Sequence, residues 1–588
     1  MALLDRLIGL ETEYAIRYSS IPDEHLGRAP SLASWFERDF DPLPHPGNDI
    51  IFQAFKTAIA DLVPTRPGNG APGRDQVFTA NGGAFYYEFL PHCPEGGLLE
   101  CATPECRGPS QLLLYQRAQE RMLVRALPKV EELLARSGHT GTVGLLKNCR
   151  DAEGNIYGSQ ENYEVEIASG VRLTLYRLGL TLLLPLLLVQ TVLTYAFIVL
   201  LILGSLGGIL ALMVVSVVIG IFYPPWLERV QSWFDADPRT FEKRLGPFHL
   251  WLTIICTWPV VRPMAWLLSQ TAFRPQRHAA TAFLVTRTVL SGSGAVDAGR
   301  RFRLAQKVPT LSGMIRKTVL PEERTLFDTG NLLKMLCSPF NGQWRPVFRL
   351  YRRRQRLQLG HGDSNRSDLA ELLKIGSTGL ILDLIEQGVF DDAPQLRDPV
   401  TAAHAVAYDL DLDTPLELVD GTTMTALEIQ RFYLGRLQET LKRSAVPSME
   451  AHQLADLWDE GLSALETGRF DDLVGRVDWA TKRLILDHCG EEASVEVLQT
   501  LDLRYHELGV GYYEQLADSL PAPALFEDST IDGAIHEPPT ETPAFLRGQL
   551  IRERVQAGLP LVVSWDSAVL GRPFSRGKVI PFRRPKAQ

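Results

Sequence analysis

The stretch LIGLETEYAI, residues 7–16, is the starting point for the fold, because its polar and apolar residues alternate. Successive side chains of a β-strand point to opposite faces, so alternation with a period of two predicts a strand. One face carries Leu7, Gly9, Glu11 and Glu13, and the other carries Ile8, Leu10, Thr12 and Tyr14. Two carboxylates therefore lie two residues apart on the same face of the first strand.

Further strands and helices follow without a regular βαβ rhythm, which favours an α+β fold with a largely antiparallel sheet. The same patterns predict strands at 77–88 (interrupted at 81–83), 142–148, 161–167, near 500–506 and near 560–564. Helical patterns occupy 49–62, 110–136, 281–290, 366–388 and much of 424–488.

Length and composition limit the class of protein. The 588 residues are enough for three or four domains or one large enzyme core with additions. With 22% charged and 45% hydrophobic residues the chain is neither intrinsically disordered nor collagen-like. The net charge of −9 gives no reason to expect nucleic-acid binding, and the seven cysteines suit a reducing compartment.

A long apolar segment interrupts the otherwise soluble-looking sequence. Residues 178–227 contain no Asp, Glu, Lys, Arg or His, and one membrane span needs only about 20 apolar residues. We predict a transmembrane hairpin with spans at about 178–202 and 207–224, broken at the Gly204–Gly208 cluster. Tyr223–Trp226 is the expected aromatic anchor at its end. A buried core hairpin is the alternative.

Basic residues predict how the hairpin is oriented. Arg172 and Arg177 precede it and Arg229 follows it, so both flanking soluble parts are expected in the cytoplasm. A further apolar segment, 248–269, contains charged residues and prolines and is predicted to be interfacial, with a third span as the alternative. No N-terminal signal peptide is visible.

Few standard motifs of nucleotide or metal chemistry are present. The sequence has no phosphate-binding GxxxxGK[ST] loop, no GxGxxG after a strand and no serine nucleophile elbow. The set His92, Cys93, Cys101 and Cys106 fits no standard zinc spacing, so its cysteines are better explained as small core residues.

Acidic and basic groups provide two further hypotheses. Hard oxygen ligands on adjacent strands can hold Mg²⁺ and nucleotide phosphates, although each such residue, taken singly, is more often a solvated surface group. The residues concerned are Glu11, Glu13, Tyr86, Glu88, Glu100, Glu105 and Glu161. The second group is either a solvated face or a patch for anionic lipid, and it comprises Arg345, Arg349, Arg352, Arg353, Arg354 and Arg356.

Ordered motifs from residue 9 to about 570 resemble the Pup ligase and Pup deamidase/depupylase family. GLETEY at 9–14 resembles the opening motif of the family, and NGGAFYYE at 81–88 resembles its NGARLYxD strand. The other similar motifs are ECATPEC at 100–106, GNIYG at 154–158, ENY at 161–163, FLVTR at 283–287, GDSN at 362–365 and SWDS at 564–567. The apolar insert, 171–280, lies between two of them.

The resemblance implies a fold like that of carboxylate-amine ligases such as glutamine synthetase, with ATP and Mg²⁺ on an antiparallel sheet cradle. It places Mg²⁺ on Glu11, Tyr86 and Glu100, the catalytic base at Glu88, and ATP contacts at Thr103 and Trp565. The expected partner is a small ubiquitin-like modifier, Pup or a Pup-like protein, with its conjugates. The ligase joins a C-terminal glutamate of this modifier to a lysine, and the paralogue removes it or deamidates a glutamine.

Several departures from the family pattern fall in the expected cradle. The family base is Asp where this chain has Glu88, and a family Arg is replaced by Ala84. Gln160 stands in place of a His, the TRDEPHA stretch has no counterpart near Thr329–Met335, and six residues are inserted between Glu88 and Glu100. These changes leave two hypotheses open: an active membrane-anchored enzyme, or a non-catalytic membrane-tethered paralogue that binds nucleotide, modifier or a partner.

The resemblance also divides the chain. Residues 1–170 and 281–490 are predicted to form the catalytic-like domain, 171–280 the membrane insert and 491–588 a small C-terminal domain. The long first loop, 14–80, and SWDS at 564–567 favour the deamidase/depupylase branch, although 457–479 resembles the ligase equally well.

Overall fold

The structure is a computed structural model that describes most of the 588 residues. The predicted anchor at 223–226, Arg229 and His92 lie outside the described residues. The described ranges are 3–20, 45–68, 75–90, 93–151, 154–222, 238–318, 323–444, 448–490, 492–517, 519–520, 524–571 and 578–582.

Strands occur mainly in the first 360 residues and near the C-terminus. They are β1 Leu7–Ser19, β2 Thr65–Pro67, β3 Gln76–Thr79, β4 Ala84–Leu90, β5 Cys93–Ala102, β6 Cys106–Arg107, β7 Thr142–Leu146, β8 Gln160–Glu166, β9 Ala295–Val296, β10 Phe302–Arg303, β11 Gly313–Ile315, β12 Thr325–Asp328, β13 Arg354–Leu359, β14 Leu416–Glu417, β15 Thr423–Met424, β16 Leu561–Val563, β17 Ser567–Leu570 and β18 Lys578–Pro581.

Helices dominate the second half of the chain. They are α1 Asn48–Leu62, α2 Pro109–Arg136, α3 Gly170–Phe222, α4 Pro238–Thr271, α5 Arg274–Thr286, α6 Thr288–Ser291, α7 Gly330–Cys337, α8 Arg345–Arg349, α9 Asp368–Glu386, α10 Pro399–Tyr408, α11 Ala426–Arg443, α12 Met449–Glu466, α13 Asp478–Asp487, α14 Val495–Tyr505, α15 Tyr512–Ala517, α16 Asp528–His536 and α17 Pro543–Gln556.

One large sheet organises the molecule and confirms the predicted α+β class. Its strands run in the order β11-β12-β13-β8-β1-β5-β4-β3-β2, and β6 and β7 also pair with β1. All of these pairs are antiparallel except β11 with β12. The strands on both sides of the insert therefore share one sheet, whereas β16–β18 form a separate small sheet.

The predicted alternation of β1 is confirmed. Ile8, Leu10, Thr12 and Tyr14 are buried, whereas Leu7, Gly9, Glu11 and Glu13 are only half-buried. The buried face packs on the main core, which α1, α2 and α9 help to form. The sheet therefore has a closed face towards the helices and a polar face on the other side, which we call the cradle face.

The strand predicted near 500–506 is wrong, because these residues belong to α14. Ser494 caps this helix by accepting a hydrogen bond from the Val497 N–H. The buried side chains Leu498, Asp502 and Tyr505 follow at intervals of four and three residues, which is the spacing of one helix face. The helical spacing of the buried residues therefore determines the structure of 495–505, although several of these residues favour strands individually.

The structure corrects the predicted hairpin. α3 is one continuous helix of 53 residues, about 80 Å long, and the Gly204–Gly208 cluster lies inside it. A helical glycine costs about 1 kcal/mol, which is too little to break a helix whose apolar residues continue on both sides. The segment predicted as a second span, 207–224, therefore continues the first up to Phe222, and its last two residues lie outside the described chain.

Helix α3 packs against α4, which contains the whole 248–269 segment predicted to be interfacial. Leu267 of α4 lies against Gly179 of α3, and Phe273 N–H donates to Ile167 O over 2.7 Å. The start of α3 and the end of α4 are thus attached to the sheet domain at the same place, which we call the base of the helix pair. Within the described residues one helix, Gly170–Ser216, is long and apolar enough to cross a membrane.

Buried ion pairs tie the central helix α9 and its neighbours to the sheet. Arg6 lies 2.6 Å from Asp383, and Arg287 lies 2.5 Å from Glu161 on β8. Burial alone would raise the pKa of Glu161, but the adjacent Arg287 guanidinium lowers it to about 2. Each charge is buried and requires its partner, because an unpaired buried ion is very costly.

We predict that Glu161→Gln lowers the free energy of unfolding at pH 7 by about 3–5 kcal/mol, because Arg287 is left buried without a counterion. Chemical unfolding in detergent measures this. Since the pKa of Glu161 is lowered from 4.5 in the folded chain, its charge stabilises the fold above pH 4.5, and this contribution is lost as pH falls towards about 2. The difference between parent and variant should therefore shrink in acid.

The control is Glu417→Gln, which removes one member of the exposed pair Arg397–Glu417. Exposed pairs contribute at most about 1 kcal/mol, so this variant should unfold like the parent. Equal stability of the Glu161 and Glu417 variants would contradict the assignment.

Candidate active site

A patch of carboxylates lies on the cradle face across three adjacent strands. Glu13 on β1 and Tyr86 on β4 are both register partners of Glu100 on β5. Directly opposed residues share a face, with Cβ atoms about 5 Å apart. Glu11 and Glu88 lie two residues further along β1 and β4, so they share this face too. We call these five residues the acidic patch.

The acidic patch lies at the boundary between core and solvent. Tyr86 and Glu100 are each only 4% exposed, whereas Glu11, Glu13 and Glu88 are half-buried. Oxygen ligands such as these carboxylates are the hard donors that Mg²⁺ prefers, and the Tyr86 hydroxyl is an oxygen donor beside them. The donor chemistry of the acidic patch therefore fits the Mg²⁺ site that the family resemblance implies.

Electrostatics shows how closely these carboxylates interact. Burial raises the pKa of Glu13, while the Gly158 N–H, which donates to Glu13 Oε2 over 2.7 Å, and the charge of Lys307 oppose the rise. The negative charge of Glu88 raises the pKa of Glu13 further. Mutual repulsion of this kind is relieved when a cation binds between the carboxylates.

One cation of the chain itself already contacts the acidic patch. Arg356 on β13 places Nη1 3.2 Å from Glu11 Oε1, and its Nη2 donates to Gln358 over 2.9 Å. Among the described residues, no three His, Cys, Asp or Glu side chains converge as a ready metal site. A metal ion that binds Glu11 would have to share this carboxylate with the Arg356 guanidinium or displace it.

Thr103 follows the end of β5 and is bound to β1. Its Oγ1 accepts a hydrogen bond from the Leu10 N–H over 3.0 Å, and its own N–H donates to Leu10 O over 2.9 Å. The side chain is only 4% exposed. The structure thus places Thr103 beside the acidic patch at the end of the strand pair, with its hydroxyl engaged by the backbone.

Trp565 reaches the same face from the C-terminal segment. Its ring lies edge-on to Phe78, with 5.1 Å between the centroids, and Arg547 stacks over it at 4.7 Å. Phe78, Ala84 and Tyr86 belong to the apolar cluster that Leu561 and its neighbours form over this end of the sheet. An indole next to the acidic patch is suited to stack on a nucleobase.

The structure also locates the departures from the family pattern. Ala84, which stands where the family has an arginine, is 1% exposed within this cluster. Gln160 stands where the family has a histidine, and its Nε2 lies 3.4 Å from Glu13 Oε1. Glu88 pairs regularly with Leu98, and the register shift of the extended β4–β5 hairpin begins beyond Phe89. The inserted residues therefore lengthen the hairpin without displacing the strand at Glu88.

Residues 329–335, where the family has TRDEPHA, mostly form helix α7. This helix begins directly after β12 and packs against α4 of the insert. Asp328, the last residue of β12, is held by Arg316 over 2.8 Å. The insert therefore contacts the segment that replaces a family motif.

Sequence reasoning missed the role of two residues in this arrangement. On sequence alone Arg356 belongs to a group of six arginines with a solvated or lipid-facing role, and Glu13 is one of seven candidate oxygen ligands without a role of its own. The signal for Arg356 was the alternation of Arg354, Arg356 and Gln358 along β13, which places all three on the cradle face beside β8.

Neither zinc nor the remaining acidic candidates join the site. Cys101 and Cys106 are buried free thiols, and burial raises the pKa of both, so they behave as core residues. Glu105 pairs with Arg547 and Glu161 pairs with Arg287. These carboxylates hold the fold rather than a ligand.

Comparison with known proteins shows a consistent relationship. The family model described as "Pup-ligase protein" matches residues 6–569. The Pup–protein ligase of Arthrobacter sp. (strain FB24) is 24% identical over 571 residues, covering 95% of this chain and 92% of the relative. That of Acidimicrobium ferrooxidans is 27% identical over 500 residues, covering 83% and 82%.

Solved structures show the same fold. The complex of the prokaryotic ubiquitin-like protein Pup with its ligase PafA matches with a TM-score of 0.64 at 20% identity, covering 100% of this chain and 91% of that chain. PafA in complex with ADP matches with a TM-score of 0.59 at 20% identity, covering 95% and 97%.

These relatives are ligases, so they do not support the predicted lean towards the depupylase branch. The family match extends over nearly the whole length of the chain, across both sides of the insert. The chain therefore belongs to the Pup-ligase protein family of enzymes.

Proposed function

We propose that this chain is a membrane-anchored, ATP-dependent Pup ligase. It activates the side-chain carboxylate of a C-terminal glutamate on a Pup-like modifier and joins it to a lysine of a target protein. The observation that carries the proposal is the acidic patch on the cradle face, with Arg356 and Trp565 beside it. The ligase names of the relatives and the ADP and Pup complexes of PafA support this assignment.

The cofactor would be held by residues already placed. Glu11, Tyr86 and Glu100 are the proposed Mg²⁺ ligands, and Thr103 and Trp565 the proposed ATP contacts. When bound, Mg²⁺–ATP supplies the phosphoryl group that converts the modifier carboxylate into an acyl phosphate. Arg356, which lies beside Glu11, would be placed to contact phosphate oxygens of the bound nucleotide.

Glu88 is the proposed general base. Its half-buried carboxylate lies on the cradle face, two residues from Tyr86. A positioned carboxylate removes the proton from the attacking lysine amine, and the new amide bond forms as phosphate leaves. Because the strand stays regular at Glu88, the longer side chain extends further from the sheet than an aspartate would.

A non-catalytic paralogue is the second candidate, and two observations favour it. Ala84 is buried where a phosphate-binding arginine is expected, and Arg356 neutralises Glu11 in the described structure. Such a protein would still bind nucleotide or modifier but would turn over neither. Removal of a modifier, as in the depupylase branch, is the remaining activity to be assayed.

The first test concerns the metal. Glu11→Ala should weaken Mg²⁺-dependent ATP binding by at least about tenfold, because a charged ligand is lost. Isothermal titration calorimetry with and without Mg²⁺ measures this. Glu417→Ala, which removes an exposed carboxylate elsewhere, is the control and should bind like the parent. Unchanged affinity of the Glu11 variant would remove this residue from the site.

The second test concerns catalysis. Glu88→Gln keeps the shape of the side chain and removes the base, so conjugation of a Pup-like modifier should fall by about 100-fold or more. ATP binding should persist, and Glu88→Asp should keep activity. If the parent neither conjugates nor releases a modifier while it binds ATP, the non-catalytic paralogue is the correct assignment.

We propose that the distal half of α3 anchors the chain in a membrane. Residues 195–208 and 210–215 are exposed almost all round the helix, and apart from Tyr195 and Ser205 they are apolar and free of charge. Leu200 and Leu210 are each more than 60% exposed. Exposing apolar surface to water is unfavourable by about 25 cal/mol of free energy per Å², and burial in a bilayer removes this exposure. This supports a membrane location, with the sheet domain on the cytoplasmic side next to Arg172 and Arg177.

The third test concerns this anchor. The base of α3 buries Tyr176, Leu180 and Leu187 in the main core, so removal of all of 171–280 would expose that core. The sharper variant replaces residues 196–250 with a short Gly-Ser linker. The parent should resist extraction of membranes with alkaline carbonate, whereas this variant should be extracted. Extraction of the parent would contradict the anchor.

A further inference from the structure

A row of aromatic residues runs along the outward face of α4. Trp251, Ile255, Trp258, Arg262 and Trp266 are all exposed and recur every three or four residues, so they form one stripe. We call these five residues the tryptophan stripe. The indoles are 58%, 54% and 67% exposed, and Arg262 lies over the Trp258 ring at 5.4 Å.

The opposite face of α4 explains why the stripe points outward. Val260, Met264, Leu267 and Leu268 are buried in the main core. The helix is therefore held against the domain along its last three turns, and its stripe cannot turn inward. The outward direction is fixed by packing.

The composition of the stripe differs from that of the exposed part of α3. Exposed residues of α3 from 196 to 215 are mainly Leu, Val and Ile without Trp, Arg or Lys, as suits hydrocarbon. The stripe of α4 instead combines indoles with a guanidinium. Indoles prefer the headgroup level of a bilayer, where the ring is apolar and the N–H is hydrated.

Charge indicates the type of lipid. No Asp or Glu occurs between residues 243 and 296. Arg262 and Arg274 are exposed on α4 and just beyond its end, and Arg172 is exposed at the neighbouring start of α3. Exposed arginines on a segment without acidic residues attract anionic headgroups.

A second element extends this surface beside the base of α3. Arg177 Nε donates to Tyr351 O over 3.1 Å, and the Thr181 and Tyr351 hydroxyls lie 3.1 Å apart. Arg352, next to Tyr351, is exposed, and Phe348, one turn earlier, is 63% exposed. An exposed aromatic residue and an arginine thus adjoin the base of the helix pair.

We propose that the tryptophan stripe lies in the headgroup layer of an anionic membrane, with α4 parallel to the bilayer plane, so that the sheet domain docks side-on. The inference rests on the proposed membrane anchoring and adds the orientation and the lipid class.

The test measures the depth of the three indoles in the full chain. Trp251 and Trp266 are 15 residues apart, or about 22 Å along the helix. If α4 lies in the membrane plane, all three indoles have the same shallow depth. If α4 crosses the bilayer, their depths differ by most of this distance.

The full chain, labelled with 5-fluorotryptophan, is placed in nanodiscs that contain phosphatidylserine and spin-labelled lipid. Trp251→Phe, Trp258→Phe and Trp266→Phe each remove one fluorine resonance and so assign the three signals. We expect a label near the headgroup to broaden all three alike and a label at the chain end to leave them sharp. Trp458 and Trp479, which are buried in the domain, are internal controls and should not broaden.

A charge comparison tests the lipid class. The double variant Arg262→Gln, Arg274→Gln should lose broadening in anionic nanodiscs, and the parent should lose it in neutral ones. Arg397→Gln, which changes an exposed arginine paired to Glu417, should behave like the parent.

Three results would overturn the inference. Graded depths would show that α4 crosses the bilayer, and sharp signals with every label would show that water or protein covers the stripe. Equal broadening in neutral and anionic nanodiscs would remove the lipid preference. Carbonate extraction of the parent tests the α3 anchor independently of the indole depths. A wrong position of the tryptophan stripe can therefore be distinguished from a wrong membrane anchor.

Discussion

The antiparallel pairing of β1 is the interaction on which the rest of the structure depends. This strand of 13 residues pairs with β5, β6, β7 and β8, so it joins the two halves of the large sheet. A register shift of one residue would move Glu11 and Glu13 into the core and Leu10 and Tyr14 to the open face. The same register therefore determines the core and the acidic patch.

Buried charges hold the helical layer against this sheet. Arg6, next to the start of β1, pairs with Asp383 on α9. Glu161 on β8 pairs with Arg287, also beneath the closed face. Desolvation offsets most of the attraction within such pairs, but the loss of one partner leaves an uncompensated buried charge. They keep β1 and β8 aligned, and hence they keep Glu11 beside Gln160 and within reach of Arg356.

The insert is physically continuous with the sheet domain. The base of α3 and α4 contributes Tyr176, Leu180 and Met264 to the main core. α4 also packs on α7, which follows directly from β12, and β12 pairs with the end of β13. The helix pair is therefore linked through α7 and β12 to the strand that carries Arg356.

The sequence by itself determined the class of fold, the strand at 7–16, most long helices and the candidate residues Glu11, Tyr86, Glu88 and Glu100, because periodicity and motif order are local properties. Family likeness also indicated Thr103 and Trp565, whose placement beside the acidic patch depends on contacts with Leu10, 93 residues away, and with Phe78, more than 400 residues away. Only the tertiary structure decided that Arg356 contacts Glu11 and that Ala84 is covered by the C-terminal segment. It also decided that 204–208 is helical, so that 207–222 continues α3, and that α4 is the helix that packs against α3. Long-range register and packing select among the alternatives that local pattern allows, since the energy of each contact depends on a distant partner.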